Sequence, residues 1–144
     1  FLDKIEEIMD HVNCPVAVFV NRQYREGTTV SFVLGGMIDL FLFSYLDKML
    51  QNGHSVRLFL FDTDDEEFRG RIDDLQVRYP EQTMIVWFAG VEDLVTEEKD
   101  GLLIMSHLSY TKLSEDEAVM RELSSLLVIR RNKNTGDKNE GLEN

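Results

Sequence analysis

The stretch Val30-Ser31-Phe32-Val33-Leu34-Gly35-Gly36-Met37-Ile38-Asp39 decides the fold. Residues 30–34 are almost continuously apolar, without the in-and-out alternation of a half-solvated strand, which is how a strand covered on both faces reads. After the two glycines, Ile38, Phe41, Leu42, Tyr45, Leu46, Met49 and Leu50 recur at helical spacing until Asn52-Gly53 ends the pattern as a C-terminal cap does. Val56 to Phe61 then repeats the strand pattern, so 30–61 reads as strand, helix, strand.

The same alternation continues after residue 61, and one further apolar run precedes it. Apolar runs at 84–89, 102–105 and 126–129 read as strands, and so does 16–20 (VAVFV). Thr63 and Glu66 have capping-box spacing ahead of a helix whose stripe is Phe68, Ile72, Leu75 and Tyr79, ended by Pro80. Residues 91–99 read as a short helix, and Ser114 with Glu117 as the capping box of another that carries Val119 and Leu123 inward. From residue 30 onward this is strictly alternating β and α, whose right-handed crossovers predict a doubly wound, mainly parallel sheet with helices on both faces.

Residues 1–21 stand outside that alternation: an amphipathic helix (Leu2, Ile5, Ile8, Met9, Val12), then Pro15 and strand 16–20, as if left from a preceding repeat. The organisation expected is 1–21 packed on a sheet edge, an α/β domain over 22–131, and a disordered tail over 132–144. The start at Phe1 suggests a segment of a longer protein. At 144 residues the chain suits one domain, and none of its apolar runs approaches the ~20 residues of a membrane helix. A single cysteine, Cys14, excludes a disulfide framework and fits a reducing compartment. The net charge is −12, from 15 basic and 27 acidic residues, and residues 61–100 hold 13 of the acids against 4 bases. That balance disfavours a nucleic acid partner and an anionic membrane surface.

The run Asn13-Cys14-Pro15-Val16-Ala17-Val18-Phe19-Val20-Asn21-Arg22, with Val30 to Asp39 after a polar loop, resembles the cytosolic C-terminal region of monovalent cation:proton antiporters. In that family a strand ending Asp-Arg-Gly leads to a strand ending Gly-Gly and an acid-rich helix start, within tandem universal stress protein-like domains. The resemblance implies a universal stress protein-like, Rossmann/flavodoxin-like three-layer α/β/α fold with the sheet order 84–89, 56–61, 30–34, 102–105, 126–129. It also implies an extra antiparallel edge strand, 16–20 beside 126–129, within one chain or exchanged between two. The sequence departs from the family at Leu40, Phe41 and Leu42, where charged residues are usual. Where nucleotide-binding universal stress proteins have Gly-x-x-Gly and a later Gly-Ser, this chain has Ser106, Ser109 and Val119-Met120.

Asp62 to Glu67 holds five acids in six positions without the spacing of a calcium loop, and acids at a helix start are favoured by its dipole. His11 with Cys14, His54 and His107 are too few and too scattered for a zinc site, so no metal is expected. The sequence has no G-x-S-x-G elbow, Walker loop, G-x-G-x-x-G or Cys/His nucleophile context, so no catalytic residue is assigned. The strand order that the resemblance implies reverses between 30–34 and 102–105, which puts the one candidate ligand crevice there, lined by Gly35, Gly36, Asp39, Ser106, His107 and Ser109. Its glycines equally suit a turn that needs their backbone angles. Leu40 and Phe43 make the first turns of helix 38–50 apolar on nearly every side, as core packing or contact with a neighbouring domain requires.

The resemblance implies a non-catalytic regulatory or assembly domain on the cytoplasmic side of a cell membrane, the bacterial inner membrane in the first instance. Its expected partners are the transporter domain of the same chain and a second copy in a homodimer, with no nucleic acid, no cofactor and no insertion of this segment into the membrane. The alternative is a stand-alone universal stress protein-like module that senses a nucleotide or cyclic dinucleotide in the crevice.

Overall fold

A computed structural model of the chain describes residues 16–25, 27, 29–61, 63–88, 90–95 and 101–131. The expected helix before Pro15, the tail over 132–144, His11, Cys14 and Asp62 lie outside the described residues. Six strands form one sheet: β1 (Val16–Val20), β2 (Val30–Leu34), β3 (Val56–Phe61), β4 (Thr83–Phe88), β5 (Leu102–Ser106) and β6 (Ser125–Arg130). Their spatial order is β1-β6-β5-β2-β3-β4; all neighbours are parallel except β1 and β6, which run antiparallel with Val16 opposite Arg130 and Val20 opposite Leu126. The doubly wound sheet and the added antiparallel edge strand are therefore as the sequence reads.

The register lays the apolar side chains in rows across the sheet. One face carries Val18, Val128, Met105, Val33, Phe59 and Val86 in line, and the other carries Phe19, Leu127, Ile104, Phe32, Leu58 and Ile85. Helices α1 (Phe43–Gln51) and α2 (Glu66–Arg78) cover the second face through Leu46, Leu50, Phe68, Ile72 and Leu75. Helices α3 (His107–Leu113) and α4 (Glu117–Glu122) cover the first through Tyr110, Leu113, Val119 and Met120. Two cores on opposite faces explain why the strands need no polar side. Among the described residues no helix is long and apolar enough to cross a membrane.

Several local readings change. The helix expected to begin at Ile38 starts as a 3-10 turn, Met37–Leu42, and becomes α-helical only from Phe43. Three residues per turn put Asp39 and Leu42 on one line, continued by Leu46 and Leu50, so these four are buried while Ile38 and Tyr45 are about half exposed. Phe43, off the expected stripe, packs edge-on against Phe68 of α2. The described part of 91–99 is a single 3-10 turn, Val91–Leu94.

Helix caps also move. Asp65 caps α2, its carboxylate accepting from Glu67 and Phe68 N–H, while Thr63 Oγ1 accepts from Asp65 N–H. Asp116 caps α4 by accepting from Val119 N–H; Ser114 instead closes α3, a helix that the sequence pattern did not indicate. Aspartate reaches the second and third N–H groups of a helix as well as serine or threonine does, so spacing alone does not choose between adjacent candidates.

Candidate functional site

The order of the sheet reverses between β2 and β5, with β3 and β4 on one side and β6 and β1 on the other. A crevice outside the carboxyl ends of those two strands is where open α/β sheets place ligands. The structure brings five of the six candidate residues into one hydrogen-bonded group there, all but His107. Asp39 Oδ2 accepts the Gly35 backbone N–H at 2.6 Å and the Ser109 hydroxyl at 3.2 Å. Ser106 caps α3, its hydroxyl accepting from Ser109 N–H at 3.1 Å.

Asp39 has no exposed surface, and Ser106 and Ser109 are almost as deeply buried. The Asp39 Oδ1 atom is also buried and accepts no hydrogen bond from the described residues. Gly36 sits beside this group with φ 133° and ψ −159°, a conformation essentially restricted to glycine, and its carbonyl accepts from Asp39 N–H. Gly35 is needed for another reason. A Cβ there would lie 3.2 Å from Asp39 Oδ2 and 3.5 Å from Ser109 Oγ, so the missing side chain leaves room for the carboxylate itself. His107 opens α3 half-buried, and its carbonyl accepts from Thr111 Oγ1.

The chemistry of this arrangement is that of an internal contact. The N–H and hydroxyl that would meet an anionic ligand already meet a carboxylate of the same chain, which carries the charge a phosphate would bring. Ser109 donates directly to the acid with no imidazole between them, so the serine is not set up as the nucleophile of a triad. Among the described residues there is no group of three His, Cys, Asp or Glu side chains placed to hold a metal ion. His54 is exposed, and its carbonyl accepts from Gln82, which ties the end of α1 to the start of β4.

Sequence reading gave no role to Arg22, which is the counterpart of Asp39 at the other end of the sheet. Its backbone N–H donates to Ser125 Oγ at 2.7 Å, and its guanidinium donates to the carbonyls of Leu123, at 3.1 Å, and Met120. Those carbonyls lie at the end of α4, where the helix dipole favours a cation. Gln23 follows with φ 69°, in the left-handed region, at the position where the resembled motif has glycine. The signal in the sequence was the run Asn13 to Arg22, read as a family mark without a structural reason.

The chain matches no protein-family model, no curated protein and no solved structure.

Proposed function

We propose that the chain is a non-catalytic regulatory or assembly domain, universal stress protein-like in fold, on the cytosolic side of a membrane monovalent cation:proton antiporter. The observation that carries the non-catalytic half of this reading is the filled switch point: Asp39 takes the donors that a nucleotide would use. A domain whose ligand crevice is filled from within acts through its surfaces. It regulates a transporter only by making different contacts in the transporter's different states. The antiporter half rests on the resemblance through Asn13 to Arg22 and Val30 to Asp39. It gains support from β1, a strand outside the β/α alternation that completes the sheet as a remnant of a preceding repeat would.

Two measurements test the reading. The reading frame ahead of Phe1 is expected to encode ten or so membrane spans, each of about 20 apolar residues; a start codon just before Phe1 overturns the assignment. In vesicles carrying the whole transporter, removing this domain is expected to leave exchange of cation for proton in place and to change how that exchange depends on cytosolic conditions. Separately, ATP is expected to leave the melting temperature of the isolated domain unchanged. A ligand at 100 times its dissociation constant would add about 2.7 kcal/mol, so a clear rise would reinstate nucleotide sensing.

A further inference from the structure

We propose that the outer edge of β4 is a strand-addition site for a basic, extended polypeptide segment. β4 pairs with β3 along its whole length, Thr83 with Val56 through Phe88 with Phe61, and among the described residues no strand lies on its other side. Its sequence, TMIVWF, contains no charge, glycine or proline, and its register has no bulge. Natural sheets blunt exposed edges with lysine, proline or a bulge, and β4 has none of these, so its free N–H and C=O groups remain a template for another strand. Met84 is 59 % exposed and Trp87 39 % exposed, and the two project from opposite faces of the strand. An added strand would meet an apolar side chain above and below its backbone bonds, the usual basis of affinity and side-chain selection in strand addition.

Charge chooses the occupant. Residues 61–100, which include β4, hold 13 acids against 4 bases. Exposed acids flank the strand along the chain: Glu81 precedes β4, and Glu92 and Asp93 follow it. On the α2 side the Arg69 guanidinium already stands 4.3 Å from the Trp87 ring centroid, so the complementary charge comes from the acids at the two ends of β4. A second copy of this chain would bring the same acids to the same edge, and like charges across a contact are unfavourable. A segment rich in lysine and arginine meets complementary potential. The inference rests on the edge and its charge alone. Under the proposed function its natural source is a cytoplasmic loop of the transporter, because such loops carry an excess of Lys and Arg.

Trp87 is the chain's single tryptophan, so its emission reports on this edge directly. The probes are an octapeptide of alternating valine and threonine flanked by lysines, and the same peptide flanked by glutamates. The lysine peptide is expected to shift Trp87 emission to the blue in a saturable titration that weakens at high salt, and the glutamate peptide to leave it unchanged. Met84→Lys, at an exposed position, is expected to keep the circular dichroism and melting temperature while weakening lysine-peptide binding several-fold. The proposal is overturned by equal responses to both peptides, by no response to the lysine peptide, or by a concentration-dependent dimer that Met84→Lys dissolves. The last result would give the edge to a second copy. None of these outcomes bears on whether a transporter precedes the domain.

Discussion

The two ends of the sheet are closed by charged residues of opposite sign, and the backbone explains which goes where. At the carboxyl ends of the parallel strands, Asp39 accepts from Gly35 N–H and the Ser109 hydroxyl. At the amino ends, Arg22 donates to the carbonyls of Met120 and Leu123. In a β/α alternation helices begin at one end and finish at the other, so one end gathers unpaired N–H groups and the other unpaired C=O groups. Each end takes the side chain that complements its backbone. The difference lies in burial and completeness: Asp39 is fully buried with one oxygen unused, whereas Arg22 is half-buried and makes several donations. A sealed, partly satisfied charge makes the fold sensitive to its chemistry, and a multiply bonded surface charge makes it sensitive to its reach.

Substitution of Asp39 is the hardest test of that contrast. Asp39→Ala leaves Gly35 N–H and Ser109 Oγ without their acceptor inside the fold, and a loss of about 2–4 kcal/mol is expected by urea denaturation. Asp39→Asn keeps an acceptor and removes a buried charge, so its cost is expected to be much smaller. Equal losses from Ala and Asn would show that the hydrogen bonds to Oδ2 do not hold this end together.

Arg22→Ala is expected to cost about 1–3 kcal/mol, since it strips charged hydrogen bonds from two carbonyls. Hydrogen exchange should quicken in β1 before β2, because Arg22 fastens the edge strand to β6 and α4. Uniform exchange across the sheet would mean that β1 is held by its ladder alone. Arg22→Lys should recover only part of the loss, because an ammonium lacks the planar spread that reaches both carbonyls.

Ser109→Ala removes one donor from Asp39 and retains the Ser106 cap through the backbone, for an expected loss of about 1 kcal/mol. Combined with Asp39→Ala it should add almost nothing, as the two share one bond. Gln23→Gly gives the smallest effect and the opposite sign. At φ 69° a glycine relieves the left-handed strain, and a gain of roughly 0.5–1 kcal/mol is expected in the melting curve, less the entropy glycine adds to the unfolded chain. A loss there would show that the Gln23 side chain contributes more than its backbone strain costs.

The six strands were legible because each is a run of β-branched, aromatic and leucine residues bounded by turn residues, and sandwiching between two helical layers makes that pattern continuous. The crevice residues were placed by the strand order that the resemblance implies: Gly35 and Gly36 follow β2, Ser106 ends β5, and Ser109 lies in the first turn of α3. What Asp39 does there was not legible. As an acid in the first turn of a helix it resembles any dipole-favoured surface carboxylate, and only the 3-10 geometry of Met37–Leu42 rotates it inward. Helix α3 was missed because His107 to Leu113 mixes polar and apolar residues with a weak stripe, while its cap, Ser106, belongs to the end of a strand.

The sequence by itself determined the alternation of elements, and with it the parallel sheet and its two cores, because period and apolar content are local properties that a window of residues carries. The tertiary structure decided which polar groups meet. Asp39 finds Ser109 seventy positions away, and Arg22 finds Leu123 across 101. Bonds of that span depend on where the sheet order reverses and which helix ends arrive there. No short stretch of sequence contains that information, since the same aspartate or arginine in another register would face water.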